Sequence, residues 1–171
     1  MIELPADALV IGLGGNVGGE PAVIERFRRA RDALAALGEV RAAPLYRTAA
    51  IGPVQPAFVN SALRVRCGDA TPGELIATVL ELERLLGRDR RGEVRNGPRA
   101  IDLDVLLWGL RAIRTPELEI PHPRMLERRF ALEPVVALFG EDLAIPGSAL
   151  TAGAALRRVA AQACAPLAAT W

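Results

Sequence analysis

The stretch Gly97-Pro98-Arg99-Ala100-Ile101-Asp102-Leu103-Asp104-Val105-Leu106-Leu107-Trp108 constrains this chain more than any other. From Ile101 onward, apolar Ile101, Leu103 and Val105 alternate with Asp102 and Asp104. Period two predicts a β-strand, on which residues i and i+2 share a face about 6.5 Å apart. One face then joins a core and the other presents two carboxylates. Like charges side by side repel, and a hard cation relieves the repulsion: Mg²⁺ takes carboxylate oxygens and completes its shell with water and phosphate. Six arginines, Arg84, Arg88, Arg90, Arg91, Arg95 and Arg99, lie just upstream or at the strand's start. Guanidinium groups fork onto phosphate oxygens. Carboxylates for metal beside arginines for phosphate point to metal-assisted phosphoryl chemistry. The plainer alternative is a charged edge strand with a solvated basic loop, although edges more often carry mixed charge.

A length of 171 residues fits one domain, 1–171, with a core of its own. The net charge of +1 provides no global basic field of the kind nucleic-acid binders use. All 21 basic residues are arginine, which excludes a P-loop in its usual lysine-containing form. Two distant cysteines, Cys67 and Cys164, argue against a disulfide framework or zinc site and fit a reducing cytosol. The acidic start is unlike a signal peptide, and no apolar run approaches ~18 residues, so neither secretion nor a membrane span is expected.

In chain order, Ala8–Leu13 reads as a buried strand ending in the glycine-rich turn Gly14-Gly15-Asn16-Val17-Gly18-Gly19. Val17 occupies the third-glycine position of a dinucleotide fingerprint, so that pattern fails. What remains is either plain turn geometry or a place where backbone closely approaches something. Helical spacing follows over Glu20–Leu37, with Gly38 as the stop. Val40–Arg47 and Phe58–Arg66 read as strands. The connection between them, Thr48 to Pro56, is long for a hairpin. Ile51, Phe58 and Asn60 are either ordinary core and turn residues or the wall, stacking ring and polar reader of a flat heteroaromatic ligand. Thr71-Pro72-Gly73-Glu74 is a capping box opening a helix that Gly87 ends. Arg88–Gly97 reads as a polar loop, mobile when empty. The sole histidine, His122, stands between Pro121 and Pro123, which hold its backbone extended. It is either an incidental loop residue or a fixed donor to a phosphate oxygen. Phe130–Phe139 is expected to be a helix interrupted by Pro134, and Leu150–Ala163 a final helix capped by Ser148.

The order strand, helix, strand, strand, helix, strand predicts an α+β fold: a ferredoxin-like βαββαβ antiparallel sheet with helices on one face and a C-terminal extension. That plan hosts many functions. An RNA-binding module is one alternative, disfavoured by only 4% aromatics and the lack of an aromatic strand motif. A non-catalytic metal-binding regulatory domain is another.

The motifs together resemble the 6-hydroxymethyl-7,8-dihydropterin pyrophosphokinase family. They are Gly14-x-Asn16, Tyr46-Arg47-Thr48, Gly52-Pro53-x-Gln55-Pro56-x-Phe58-x-Asn60-x-Ala62, Glu83, Gly87-Arg88-x-Arg90, Gly97-Pro98-Arg99-x-Ile101-Asp102-Leu103-Asp104, Pro121-His122-Pro123 and Arg128-x-Phe130. The resemblance implies transfer of a whole pyrophosphoryl group from ATP to the pterin's hydroxymethyl oxygen. It implies two Mg²⁺ ions on Asp102 and Asp104, with Arg88 and Arg99 clamping phosphate. It implies nucleotide contacts from Glu83, Arg90, Val105, His122 and Arg128. The pterin would lie between Phe58 and Phe130, with Thr48, Ile51, Asn60 and Asn96 around it. A cytoplasmic monomer acting on small molecules, without nucleic-acid or membrane partners, is the corresponding expectation. Ala49 stands where the family usually has proline, Gly15 where serine is common, and Asn96 where some members carry a tryptophan.

Overall fold

The structure, a computed structural model, describes residues 1–171. A six-stranded antiparallel sheet carries β1 (Ala8–Gly15), β2 (Val40–Ala42), β3 (Leu45–Thr48), β4 (Phe58–Arg66), β5 (Asp102–Trp108) and β8 (Cys164–Ala168). Its order is β5-β1-β4-β3-β8, with β2 also paired to β4. A separate two-stranded ribbon is formed by β6 (Ile113–Arg114) and β7 (Glu119–Ile120). The helices are α1 (Gly19–Leu34), α2 (Pro72–Leu85), α3 (Arg129–Phe139) and α4 (Ala152–Arg158). None is long and apolar enough to cross a membrane.

Both faces of the sheet are covered: α1 and α2 share one face, and the C-terminal α3 and α4 close the other. Leu9, Ile11, Leu63, Val65 and Leu103 pack with Phe27 of α1 and Leu75 of α2. Val10, Ala62, Leu106 and Leu107 pack with Leu132 and Val135 of α3 and Ala155 of α4. Strands buried on both sides lose the clean polar–apolar alternation that would have revealed this.

Local sequence accounts for most boundaries. The capping box of α2 is formed: the Glu74 N–H donates to Thr71 Oγ1 at 3.3 Å, and the Thr71 N–H to Glu74 Oε2 at 2.8 Å. After α1 a short 3₁₀ turn ends at Leu37, and Gly38 takes φ 148°; a Cβ there would lie 2.0 Å from the Arg66 carbonyl, so only glycine fits. Pro44 splits the expected strand Val40–Arg47 into β2 and β3, since proline cannot donate to a ladder. The first strand runs on through Gly14 and Gly15, which the sequence reading placed in the turn. Pro134 sits inside a continuous α3 rather than interrupting it.

The largest departure is at the C-terminus. The expected helix Leu150–Ala163 begins only at Ala152, capped by Thr151 rather than Ser148, and stops at Arg158. Cys164–Ala168 then forms β8 against β3. Pro166 in that strand disguised it, and an edge position is where proline is tolerated.

Candidate active site

The sheet face beneath α3 opens, at the end carrying Gly14 and Asp102, into a cavity of about 330 Å³. Its floor is set by register. Gly14 of β1 lies between Asn60 of β4 and Asp102 of β5, and Gly12 lies between Ala62 and Asp104. The two glycines leave space where other residues would carry side chains. A Cβ at Gly14 would come within 3.3 Å of Asn60 Oδ1, and one at Gly12 within 3.2 Å of Leu106.

Asp102 and Asp104 face this cavity, while Leu103 and Val105, 4% and 7% exposed, go to the opposite core. Beyond Asp104 the strand bulges. Ile11 pairs with Val105 and Val10 with Leu107, which makes Leu106 the extra residue. The bulge turns both Leu106 and Leu107 toward the α3 side. The Leu106 carbonyl then accepts the His122 N–H at 2.9 Å. This bond, with prolines on both sides of the histidine, fixes His122 at the cavity wall. His122 Nδ1 accepts the Arg124 N–H at 3.2 Å, so the neutral ring carries its proton on Nε2. Burial, then the charges of Arg128 and Arg124, lower the His122 pKa to about 4, so at neutral pH the ring is an uncharged donor.

The two aspartates differ. Asp102 is paired with Arg88 and with Arg99. The Asp104 carboxylate makes no hydrogen bond or ion pair within the chain. Burial, then the adjacent Asp102 charge, push the Asp104 pKa up to about 6. A buried carboxylate held next to another without a partner of its own fits a cation. No group of three or more potential ligands converges here, so a cation on these two carboxylates would take its other ligands from water or substrate.

Arg88 is 8% exposed and is a hub rather than part of a free loop. It meets Glu83 at 2.6 Å, Glu93 at 2.8 Å and Asp102. Glu83, 1% exposed at the end of α2, also accepts from Arg90 at 2.6 Å and from the Leu103 N–H at 2.8 Å. Glu83, Arg88 and Arg90 line a second, more open and arginine-rich cavity. Val105 lines neither cavity and packs instead into the core on the α1 and α2 side.

Thr48, Ile51, Phe58, Asn60, Asn96 and Phe130 all border the main cavity, together with Arg99 and Arg128. Asn60 Nδ2 donates to Thr48 Oγ1 at 2.7 Å, which leaves the Asn60 carbonyl oxygen to read a ligand's edge. Phe58, at the start of β4, and Phe130, at the start of α3, line the cavity from different elements without pairing with each other. Arg128 lies 5.4 Å from the centre of the Phe130 ring, and burial lowers its pKa. The sequence reading missed Gly12, Leu106, Arg124 and Glu127 as lining residues. Arg124 had one signal, its place directly after Pro121-His122-Pro123. Arg129, by contrast, turns away and pins the C-terminal segment at the Ala160 and Gln162 carbonyls.

Cavity, charges and rings define a class: an α+β domain whose cavity brings two phenylalanines and a buried asparagine together with two aspartates and arginines. Residues 10–140 match the family described as 7,8-dihydro-6-hydroxymethylpterin-pyrophosphokinase. The chain belongs to that family. It is 36% identical over 132 residues to the 2-amino-4-hydroxy-6-hydroxymethyldihydropteridine pyrophosphokinase of Synechocystis, covering 75% of this chain and 65% of that one. It is 36% identical over 129 residues to the enzyme of the same name from Bacillus subtilis, covering 75% of each chain. The fold matches an HPPK-DHPS crystal structure in complex with substrates at a TM-score of 0.68 and 11% identity, over 91% of this chain and 43% of that one.

Proposed function

We propose that this chain transfers pyrophosphate from ATP to the hydroxymethyl group of 6-hydroxymethyl-7,8-dihydropterin, giving AMP and the pterin diphosphate. One juxtaposition carries the reading. Asp102 and Asp104 face the same cavity as Phe58, Asn60 and Phe130, with Arg99, His122 and Arg128 on its walls. The pterin hydroxymethyl oxygen attacks the β-phosphorus of ATP, the bond from that phosphorus to the α-phosphate oxygen breaks, and AMP departs. Phe58 and Phe130 sandwich the ring; Thr48, Asn60, Ile51 and Asn96 contact its edge. A wrong ring leaves buried polar groups unpaired, which is an effective form of rejection.

Arg88 and Arg99 clamp the phosphates, with Arg90 beside them, while His122 Nε2–H and Arg128 hold polyphosphate oxygens. Glu83 acts by holding Arg88 and Arg90. Asp102 and Asp104 would hold Mg²⁺, two ions in this reading, which neutralises charge on the triphosphate. The chain's own contribution is positioning and charge, as expected for phosphoryl-transfer chemistry. We read β1, α1, β2–β3, β4, α2 and β5 as a ferredoxin-like core, and residues 1–171 as one cytoplasmic, monomeric pyrophosphokinase domain.

The test is to mix the protein with ATP, Mg²⁺ and the pterin and separate the nucleotides. AMP formed one-for-one with pterin consumed supports the reading. ADP, or no nucleotide change, overturns it.

A further inference from the structure

Helix α3 carries Phe130 on its first turn, yet its N-terminal residue Arg128 makes no side-chain cap. Gln162, 33 residues beyond Arg129, supplies the cap from the C-terminal segment: its Oε1 accepts the Arg129 N–H at 2.8 Å. Its Nε2 donates to the Glu127 carbonyl at 2.8 Å. The contact is reciprocal, since Arg129 Nη1 donates to the Ala160 carbonyl at 2.7 Å and to the Gln162 carbonyl at 3.0 Å. Residues 160–162 are thus tied to the start of α3 from both sides.

The same segment is also tied to the opposite wall. Two residues after Gln162 the chain enters β8, where Cys164 pairs with Thr48 of β3, and Thr48 pairs with Phe58 of β4. Phe58, Thr48 and Cys164 therefore stand in one row across three strands. A short path joins the two rings: from Phe58 along that row to Cys164, back to Gln162, and through its side chain to the turn bearing Phe130. Gln162 itself is exposed and does not line the cavity, so it acts through Phe130.

We infer that Gln162 is a positioning residue for the pterin: by capping α3 from the segment that enters β8, it sets the gap between the Phe58 and Phe130 rings. The inference rests on the proposed assignment of those two rings to the pterin. A flat ligand touches two rings at once only where they stand about 7–8 Å apart, twice the carbon contact distance. The first N–H groups of a helix have no partner within it, and an uncapped first turn loses stability. A ring carried on such a turn loses its fixed place opposite Phe58.

The test is titration calorimetry with α,β-methylene-ATP and Mg²⁺, and then with the pterin at saturating α,β-methylene-ATP. Gln162→Ala should weaken the pterin about three- to tenfold. It should weaken α,β-methylene-ATP by no more than about twofold, since Arg88 and His122 are held by other bonds. Gln162→Glu keeps an oxygen for the Arg129 N–H and places negative charge at a helix N-terminus, so its pterin affinity should stay within about twofold of the natural protein's. In a Phe130→Ala background, Gln162→Ala should cost no further pterin affinity, because the ring it places is gone. Unchanged pterin binding in Gln162→Ala, equal loss of both ligands, failure of Gln162→Glu to hold affinity, or the full added loss in the Phe130→Ala background overturns the inference. Each of these leaves the function standing as long as the natural protein binds the pterin. A natural protein that binds no pterin overturns the function as well.

Discussion

Glu83 and Arg88 form a buried ion pair at 2.6 Å across the junction of α2 and the arginine loop, with side chains 1% and 5% exposed. The same carboxylate accepts the Leu103 N–H, so one acid joins the helix, the loop and the strand bearing the aspartates. Breaking a buried pair on one side leaves an uncompensated charge and costs roughly 3–5 kcal/mol. Arg88 retains Glu93 and Asp102. Glu83→Ala is therefore expected at the low end, about 3 kcal/mol, read as a lower urea midpoint at unchanged slope. A loss below about 1 kcal/mol would mean that Glu83 is not the joint described.

Asp104 should destabilise the metal-free protein. Its pKa rises from 3.8 to about 6 on folding, so the folded state binds the proton more tightly. Its contribution is most favourable below pH 3.8 and is lost as pH rises through about 6. The difference, about 6 less 3.8, corresponds to roughly 3 kcal/mol at most. Asp104→Asn should accordingly unfold several degrees higher at pH 7.5 without Mg²⁺, with the advantage gone near pH 4, and should lose turnover. Equal melting at both pH values would refute the strained-carboxylate reading. Adding Mg²⁺ with ATP should stabilise the natural protein more than the variant.

His122 works in the opposite sense. Its pKa falls from 6.5 to about 4 on folding, so the unfolded chain takes up the proton first as pH drops. Stability is unaffected above pH 6.5 and lost as pH falls toward 4. His122→Gln should recover roughly 2 kcal/mol of that loss at pH 5, measured as the difference in urea midpoint between pH 7.5 and 5. A variant as acid-sensitive as the natural protein would place the titrating group elsewhere.

Phe58→Ala should weaken the pterin and spare the nucleotide. Stacking on an aromatic ring contributes roughly 1–3 kcal/mol, about five- to 150-fold in dissociation constant. Calorimetry with each ligand separately decides the point, since equal loss of both would make Phe58 a packing residue.

How much of this was legible beforehand depended on the range of the interaction involved. The Asp102/Asp104 alternation, the Thr71–Glu74 capping box and the Gly38 stop are written within a few residues, where backbone sterics and period decide. Strand β8 was not legible, because Cys164–Ala168 becomes a strand only by pairing with β3, more than a hundred residues earlier. The bulge at Leu106 hid in an uninterrupted apolar run, since it is defined by register against β1. Arg88 read as a loop arginine and is instead buried, because carboxylates from the end of α2, from the loop itself and from the start of β5 converge on it.

The sequence by itself determined the kinds of chemistry available: paired carboxylates, arginines, a proline-braced histidine and two phenylalanines at motif spacings. Only the tertiary structure decided which of them share one cavity. It also decided that the Asp104 carboxylate stands without a partner while that of Asp102 has two, and that Gln162 meets the first turn of α3. Residue identity sets what a group can do. Burial, charge proximity and hydrogen bonding between distant segments exist only once the sheet has brought those segments together.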